Sequence, residues 1–157
     1  EKLDTTYKEV NKNFSEFFKR LFMGGRAELQ LMGDEILDTG LQVSAQPPGK
    51  KNTTINLLSG GEKALTAISL IFALFKLNPS PFCVMDEVDA PLDDTNTGNF
   101  CSLVKEMAEK TQFLIVTHNR ITMEIAEQLV GVTQQELGVS RIVEVDMRDI
   151  DDMELAY

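Results

Sequence analysis

The chain has 157 residues, 43% of them hydrophobic, which is enough for one globular domain with a real core. Its formal net charge is -10, so it lacks the clustered Lys and Arg with which a protein grips a phosphate backbone by itself, although another part of a complex could supply them. No apolar run approaches the roughly 20 residues of a membrane span, and no signal peptide stands at the start.

Leu3, Tyr7, Val10, Phe14, Phe17 and Leu21 form a heptad seam, widened near its end by Phe18 and Phe22. Such a seam suits either an amphipathic helix lying on its own domain or the root of a longer coiled coil. The chain opens on Glu1 rather than Met and in mid-helix, which suggests a piece of something longer. Gly24-Gly25 stops the helix. Residues 27–32 read as a strand, and Leu41, Val43 and Ala45 alternate with polar residues as a second, with a turn at Gly33-Asp34. Pro47-Pro48-Gly49-Lys50-Lys51 is a loop, and residues 52–58 lead into Ser59. Residues 61–77 are apolar on nearly every face and are expected to be a deeply buried helix ended by Asn78-Pro79-Ser80-Pro81. Residues 82–85 and 112–116 read as buried strands, residues 94–110 as an amphipathic helix and residues 121–128 as a short helix. Residues 129–133 and 141–145 are further strand candidates. Strands and helices alternate from Phe82 onward, which predicts an α/β layer with parallel pairing. Cys83 and Cys101 lie in apolar stretches and read as reduced, buried cysteines of an intracellular protein.

Three segments carry chemistry. Ser59-Gly60-Gly61-Glu62-Lys63-Ala64 opens the apolar helix. Ser59 and Glu62 make a capping box, which explains both of them but not the glycines between. Each glycine costs roughly 1 kcal/mol relative to alanine in a helix. Lys63 adds a positive charge where the helix dipole disfavours it. Both departures make sense if an anion docks on this helix end. In the second segment, Phe82-Cys83-Val84-Met85 runs straight into Asp86 and Glu87. Carboxylates at the carboxyl end of a parallel strand stand where Mg²⁺ and an attacking water are placed; the plainer reading is an acidic surface loop, with Asp89, Asp93 and Asp94 as solvated neighbours. In the third, His118, the chain's one histidine, follows the apolar run Phe113-Leu114-Ile115-Val116. A lone histidine is ordinary, but one at the same strand-end edge as Asp86 and Glu87 could meet a terminal phosphate. A phosphate cradle is missing: the Gly49-Lys50 pair has Lys51 where Ser or Thr is needed and Ser44 where the first glycine belongs.

In this order the segments resemble the motifs of ABC-type ATPases. Leu58-Ser59-Gly60-Gly61-Glu62-Lys63 resembles the signature motif, with Glu62 where transporters usually have Gln, and Val84-Met85-Asp86-Glu87 resembles Walker B. Ala90-Pro91-Leu92-Asp93 looks like the D-loop, and Thr117-His118-Asn119 like the switch-histidine loop. The phenylalanine-rich helix running into Leu21-Phe22-Met23-Gly24-Gly25, the 47–51 loop and Asp86-Glu87-Val88-Asp89-Ala90 narrow the resemblance to the C-terminal lobe of the ATPase head of SMC (structural maintenance of chromosomes) proteins. The ending from Gly131-Val132-Thr133 to Glu144-Val145 resembles the bacterial branch, and the resemblance covers essentially the whole chain.

The resemblance implies an α/β fold, the C-terminal half of an ABC-type ATPase head with a mostly parallel sheet flanked by helices. Residues 1–23 would be a coiled-coil stub, shorter than the family's arm, and residues 24–157 the lobe. It implies a function in chromosome condensation and segregation in the cytoplasm, at the nucleoid. Asp86 would help hold Mg²⁺ through water, Glu87 would activate water, and His118 would contact the γ-phosphate of ATP bound in the same head. Ser59, Gly60, Gly61, Glu62 and Lys63 would reach the ATP of a second head, with Ala90, Pro91, Leu92 and Asp93 as D-loop. The cradle would come from the N-terminal lobe of the same protein, so the isolated chain is expected to bind ATP and Mg²⁺ poorly and to be inactive. The other implied partners are a second, identical head, a kleisin subunit and DNA. The alternatives are a head lobe of another coiled-coil ABC ATPase, of DNA repair, and a lobe serving mainly as a kleisin-binding platform.

Overall fold

The computed structural model describes residues 2–33, 40–51 and 53–147. The heptad seam forms helix α1 (Lys2–Leu21), and its burial is uneven along the length. Val10, Phe14, Phe17, Phe18 and Leu21 are buried, whereas Leu3 is exposed. The buried half packs on α2 (Gly60–Leu77) and on β1 (Arg26–Leu31) within the same chain. Phe18 stacks on Phe22 with centroids 4.1 Å apart and meets Phe14 edge-on. The Phe17 ring has the Arg20 guanidinium 5.8 Å and the Lys76 ammonium 5.1 Å from its centroid. Asn11 Oδ1 accepts the Leu29 N–H at 2.8 Å, and Tyr7 donates its hydroxyl to the Leu29 carbonyl at 2.6 Å. The helix thus pairs with strand backbone as a neighbouring strand would. Past its end the chain reverses at Gly25, where φ is +79° and a Cβ would lie 2.4 Å from the Gln46 carbonyl.

Strand β1 pairs antiparallel with β2 (Leu41–Gln46), which pairs antiparallel with the two-residue β3 (Thr53–Thr54). Of the expected Gly33-Asp34 turn, Asp34 lies outside the described residues, as does Asn52. A 3₁₀ turn (Ile55–Leu57) follows β3 and delivers the chain to Ser59. β4 (Phe82–Asp86) pairs in parallel with β5 (Gln112–Val116), and α3 (Asp94–Ala108) makes the crossover. After the single turn of α4 (Arg120–Met123), β6 (Gln128–Glu136) and β7 (Val139–Asp146) form an antiparallel hairpin.

The fold is α/β, with small sheets flanked by helices. Among the described residues, parallel pairing is confined to β4 and β5. The reason is connection length: a parallel crossover needs about a dozen residues or more, and Leu137-Gly138 between β6 and β7 is a hairpin turn. Several elements differ from their sequence expectation. The helix expected over residues 121–128 is one turn long, because Ala126 N–H bonds back to the Met123 carbonyl at 3.1 Å and the chain leaves to begin β6. α2 is not deeply buried all round: Ile71 and Leu74 are exposed. β4 and β5 bury only one face. Met85 is buried and Cys83, Phe113 and Ile115 are half-buried, while Phe82, Val84, Leu114 and Val116 are exposed on the other face. Both cysteines are free; Cys101 is buried as expected, but Cys83 is only half-buried.

Candidate active site

The register of the parallel pair decides what meets at its carboxyl end. Phe82 lies opposite Gln112 and Asp86 opposite Val116, so both strands finish level. Glu87 N–H then donates to the Val116 carbonyl at 2.9 Å. The two loops that follow are therefore side by side, and the two apolar runs deliver their polar ends to one edge.

Glu87 turns there at φ +52°, in the left-handed region. For a residue with a side chain this costs of order 1–3 kcal/mol and persists where surrounding structure enforces it. The Ala90 N–H to Glu87 carbonyl bond, 3.2 Å, closes the tight turn that follows. The turn brings the Glu87 carboxylate within 2.9 Å of His118 Nδ1. Both side chains face solvent, His118 at 74% and Glu87 at 47% exposure, so the edge is an open ledge rather than a pocket. Asp86 is exposed beside them, and its carboxylate has no protein partner among the described residues. No group of three or more metal-ligating side chains is found among the described residues. Mg²⁺ does not require one, since it usually keeps several waters and takes one or two carboxylates plus substrate phosphates. An unpaired hard-oxygen donor such as Asp86 fits that role.

Asp89 corrects the picture of a solvated acidic loop. It is 1% exposed, and one of its carboxyl oxygens accepts the Thr117 and Thr122 hydroxyls, each at 2.5 Å. Sequence spacing gave no sign of this, because the two threonines lie in a different loop and in α4. Asp93 is a helix cap: its side chain accepts the Asn96 N–H at 2.8 Å and starts α3. Asn119 caps α4 in the same manner, accepting the Ile121 N–H at 2.9 Å.

The capping box that opens α2 is present. Ser59 N–H donates to Glu62 at 2.8 Å, and Glu62 N–H donates to Ser59 Oγ at 3.4 Å. Glu62 also forms an ion pair with Lys50 of the proline loop at 2.6 Å. The Lys50 ammonium, and after it the Ser59 N–H, hold the Glu62 carboxyl below its ordinary range. The two glycines differ. A Cβ on Gly60 would meet nothing within 4 Å, whereas one on Gly61 would lie 2.6 Å from the Pro91 carbonyl oxygen. Gly61 therefore has a packing reason, and only Gly60 leaves bare helix end to solvent. Through Pro91 the 90–93 turn touches the start of α2. Among the described residues no hydrogen bond or ion pair joins Ser59, Gly60 or Lys63 to Asp86, Glu87 or His118.

The RecF/RecN/SMC N terminal domain model matches residues 4–141. The chain belongs to the RecF/RecN/SMC family. A chromosome partition protein Smc from Burkholderia pseudomallei is 67% identical over 145 residues, covering 92% of this chain and 12% of that protein. The chain thus spans 12% of the length of that curated relative. Among solved structures, an Smc head domain from Pyrococcus furiosus, with an extended coiled coil and bound to the C-terminal domain of ScpA, superposes with TM-score 0.90 at 37% identity, covering 96% of this chain and 38% of that one. A structure from work on ATP-driven dimerization and DNA stimulated activation of SMC ATPases gives TM-score 0.81 at 36% identity and covers 96% of this chain and 94% of its own. The resemblance of the motif order to an SMC head agrees with the family model, the relative and both structures.

Proposed function

We propose that this chain is the catalytic half-site of an SMC ATPase head acting in chromosome condensation and segregation. The observation that carries the reading is Glu87, held at φ +52° with its carboxylate 2.9 Å from His118 at the shared end of two parallel strands. Met23 has a similar φ of +54° in the turn after α1, so the backbone alone does not mark a site; at Glu87 the left-handed turn also aims a carboxylate at a histidine, which supports the reading. ATP with Mg²⁺ supplies the phosphoryl group and the charge neutralisation. Asp86 would hold the ion through water, and Glu87 would take a proton from the attacking water. Hydrogen bonding at Nδ1 leaves His118 Nε2 for the γ-phosphate. The 74% exposure of His118 suits a site completed by other surfaces.

Ser59, Gly60, Gly61, Glu62 and Lys63 would meet ATP held by a second, identical head. The open face at Gly60 and the absence, among the described residues, of a hydrogen bond or ion pair from this segment to Glu87 support that division of labour. The exposed face of Phe82, Val84, Leu114 and Val116 would be covered by the N-terminal lobe that supplies the phosphate cradle. Residues 1–23 would continue into the coiled-coil arm. The complete protein would work in the cytoplasm on the nucleoid, with DNA reached through the whole complex. The chromosome-partition relatives favour this reading over a coiled-coil ATPase of DNA repair.

A platform role has its own support. The β6–β7 hairpin exposes Val130, Val132, Leu137, Ile142 and Val143, an apolar surface suited to a kleisin subunit. The two roles are compatible, and one experiment decides whether catalysis belongs here. In a complete head, formed with the N-terminal lobe, Glu87→Gln is expected to leave ATP binding intact and to slow hydrolysis by about 10²–10⁴-fold. It should also prolong head pairing in sedimentation. Normal turnover by that variant removes Glu87 from the role given to it, and a complete head that hydrolyses no ATP leaves the lobe as a platform only.

A further inference from the structure

The Glu87–His118 pair joins two exposed side chains, and such a pair is worth only about 0–1 kcal/mol. It does not hold two loops in register by itself. The loops are tied one layer below, where Asp89 is 1% exposed. Asp89 Oδ2 accepts the Thr117 and Thr122 hydroxyls at 2.5 Å each. Thr117 immediately precedes His118, and its Oγ1 accepts the Asn119 N–H at 2.9 Å on the other side of the histidine. The Asn119 amide reaches Thr97 at 3.5 Å, and the Thr97 hydroxyl donates to the Asp93 carbonyl at 2.9 Å. The 87–93 turn and the 117–119 loop are therefore fastened together at both ends of the turn, through Asp89 and through Thr97. Thr97 and Thr122 are buried with Asp89, so little water competes for these bonds.

We infer that Asp89 is a positioning residue for hydrolysis: through Thr117 it holds the His118 loop against the Glu87 turn, so that the two exposed side chains meet. The inference rests on the ATPase reading given above. It assigns Asp89 no contact with nucleotide or metal; its effect passes through the backbone of its neighbours.

The test uses the complete head and steady-state ATP hydrolysis, with thermal unfolding measured on each variant. Asp89→Ala is expected to lower kcat by about tenfold or more with KM for ATP changed less than about twofold, since ground-state binding is untouched. Asp89→Asn keeps one oxygen in place to accept both hydroxyls and should bring kcat back to within about threefold of the parent. Should Asp89→Ala fail to fold, the threonines carry the test. Thr117→Val frees the loop that bears His118 and should lower kcat by about fivefold or more, while Thr122→Val frees only α4 and should leave kcat within about twofold at a similar loss of Tm. Unchanged kcat in Asp89→Ala overturns the inference, as do equal kcat values for the two threonine variants. So does a loss that Asp89→Asn does not rescue. Glu87→Gln run alongside separates the failures. If it hydrolyses normally, the catalytic role of Glu87 falls, and with it the pairing that Asp89 is inferred to hold. If it is inactive while Asp89→Ala turns over normally, only the role of Asp89 falls.

Discussion

The paired glycines at the start of α2 offer a test in which stability and function should move in opposite directions. Both occupy first-turn positions of the helix, neither has a positive φ, and alanine is therefore conformationally allowed at each. Replacing a helical glycine by alanine gains about 0.5–1 kcal/mol, chiefly by restricting the unfolded chain. At Gly60 the new methyl meets nothing within 4 Å, so that gain is kept whole. At Gly61 the methyl would lie 2.6 Å from the Pro91 carbonyl oxygen, well inside van der Waals contact. The 90–93 turn must then retreat by several tenths of an ångström. Overpacking of this kind costs about 1–3 kcal/mol, which exceeds the propensity gain. Gly60→Ala is thus expected to stabilise by about 0.5–1 kcal/mol and Gly61→Ala to destabilise by about 0.5–2 kcal/mol.

Urea titration of each variant in the complete head measures the first half of this contrast. ATP-dependent head pairing measures the second. If a phosphate from a second head approaches the bare helix end, Gly60→Ala should weaken pairing although it stabilises the fold. Two results would refute the reasoning. Gly61→Ala as stabilising as Gly60→Ala would mean that the Pro91 contact does not constrain the turn. Undiminished pairing in Gly60→Ala would leave the open helix end without a role in docking.

Further outcomes follow from the same geometry. Glu87→Gly relieves the left-handed backbone and should raise stability by about 1 kcal/mol in denaturant titration while abolishing hydrolysis. A loss of stability there would mean that the Glu87 side chain contributes more than its strain costs. The Glu62 carboxyl is held below its ordinary value of 4.5 by Lys50 and the Ser59 N–H. Its contribution is therefore present in full above that ordinary value and is lost as pH falls through the depressed folded value. Unfolding measured between neutral and acid pH should show this loss, and Glu62→Gln should remove that part of the pH dependence.

Some of this architecture is written in local pattern and some is not. The β5 strand, residues 112–116, was legible to the residue because an apolar run with polar ends has one reading in a sheet. The α2 start was legible because Ser59 and Glu62 stand at capping-box spacing. Burial was less legible. The apolar character of α2 and of β4–β5 suggested full enclosure, yet Ile71, Leu74, Phe82, Val84, Leu114 and Val116 are exposed. Hydropathy records that a face wants covering, not whether the covering atoms belong to the same chain. The 121–128 segment failed for a different reason. Its composition permits a helix, but the chain turns after Met123, where Ala126 N–H bonds back to the Met123 carbonyl, and β6 begins at Gln128.

The least legible residue is also the one that ties the candidate site together. Asp86, Glu87, Asp89, Asp93 and Asp94 look alike in sequence, five carboxylates in nine positions. The fold sorts them by where each backbone points after β4 ends. Asp86 is the last strand residue and opens to solvent; Glu87 is rotated by its positive φ towards His118. Asp89 turns inward to the hydroxyls of Thr117 and Thr122, and Asp93 turns along the chain to cap α3. The inward turn is possible only because the parallel register sets the end of β5 level with the end of β4, which places Thr117 beside the turn. A buried aspartate needs partners, and here they come from the loop after β5 and from α4, some thirty residues further along the chain. The strained Glu87 backbone and the buried Asp89 tie are then two parts of one arrangement. The tie fixes the loop against which Glu87 is turned, and the order that it provides is what allows a costly backbone conformation to persist on an otherwise exposed ledge.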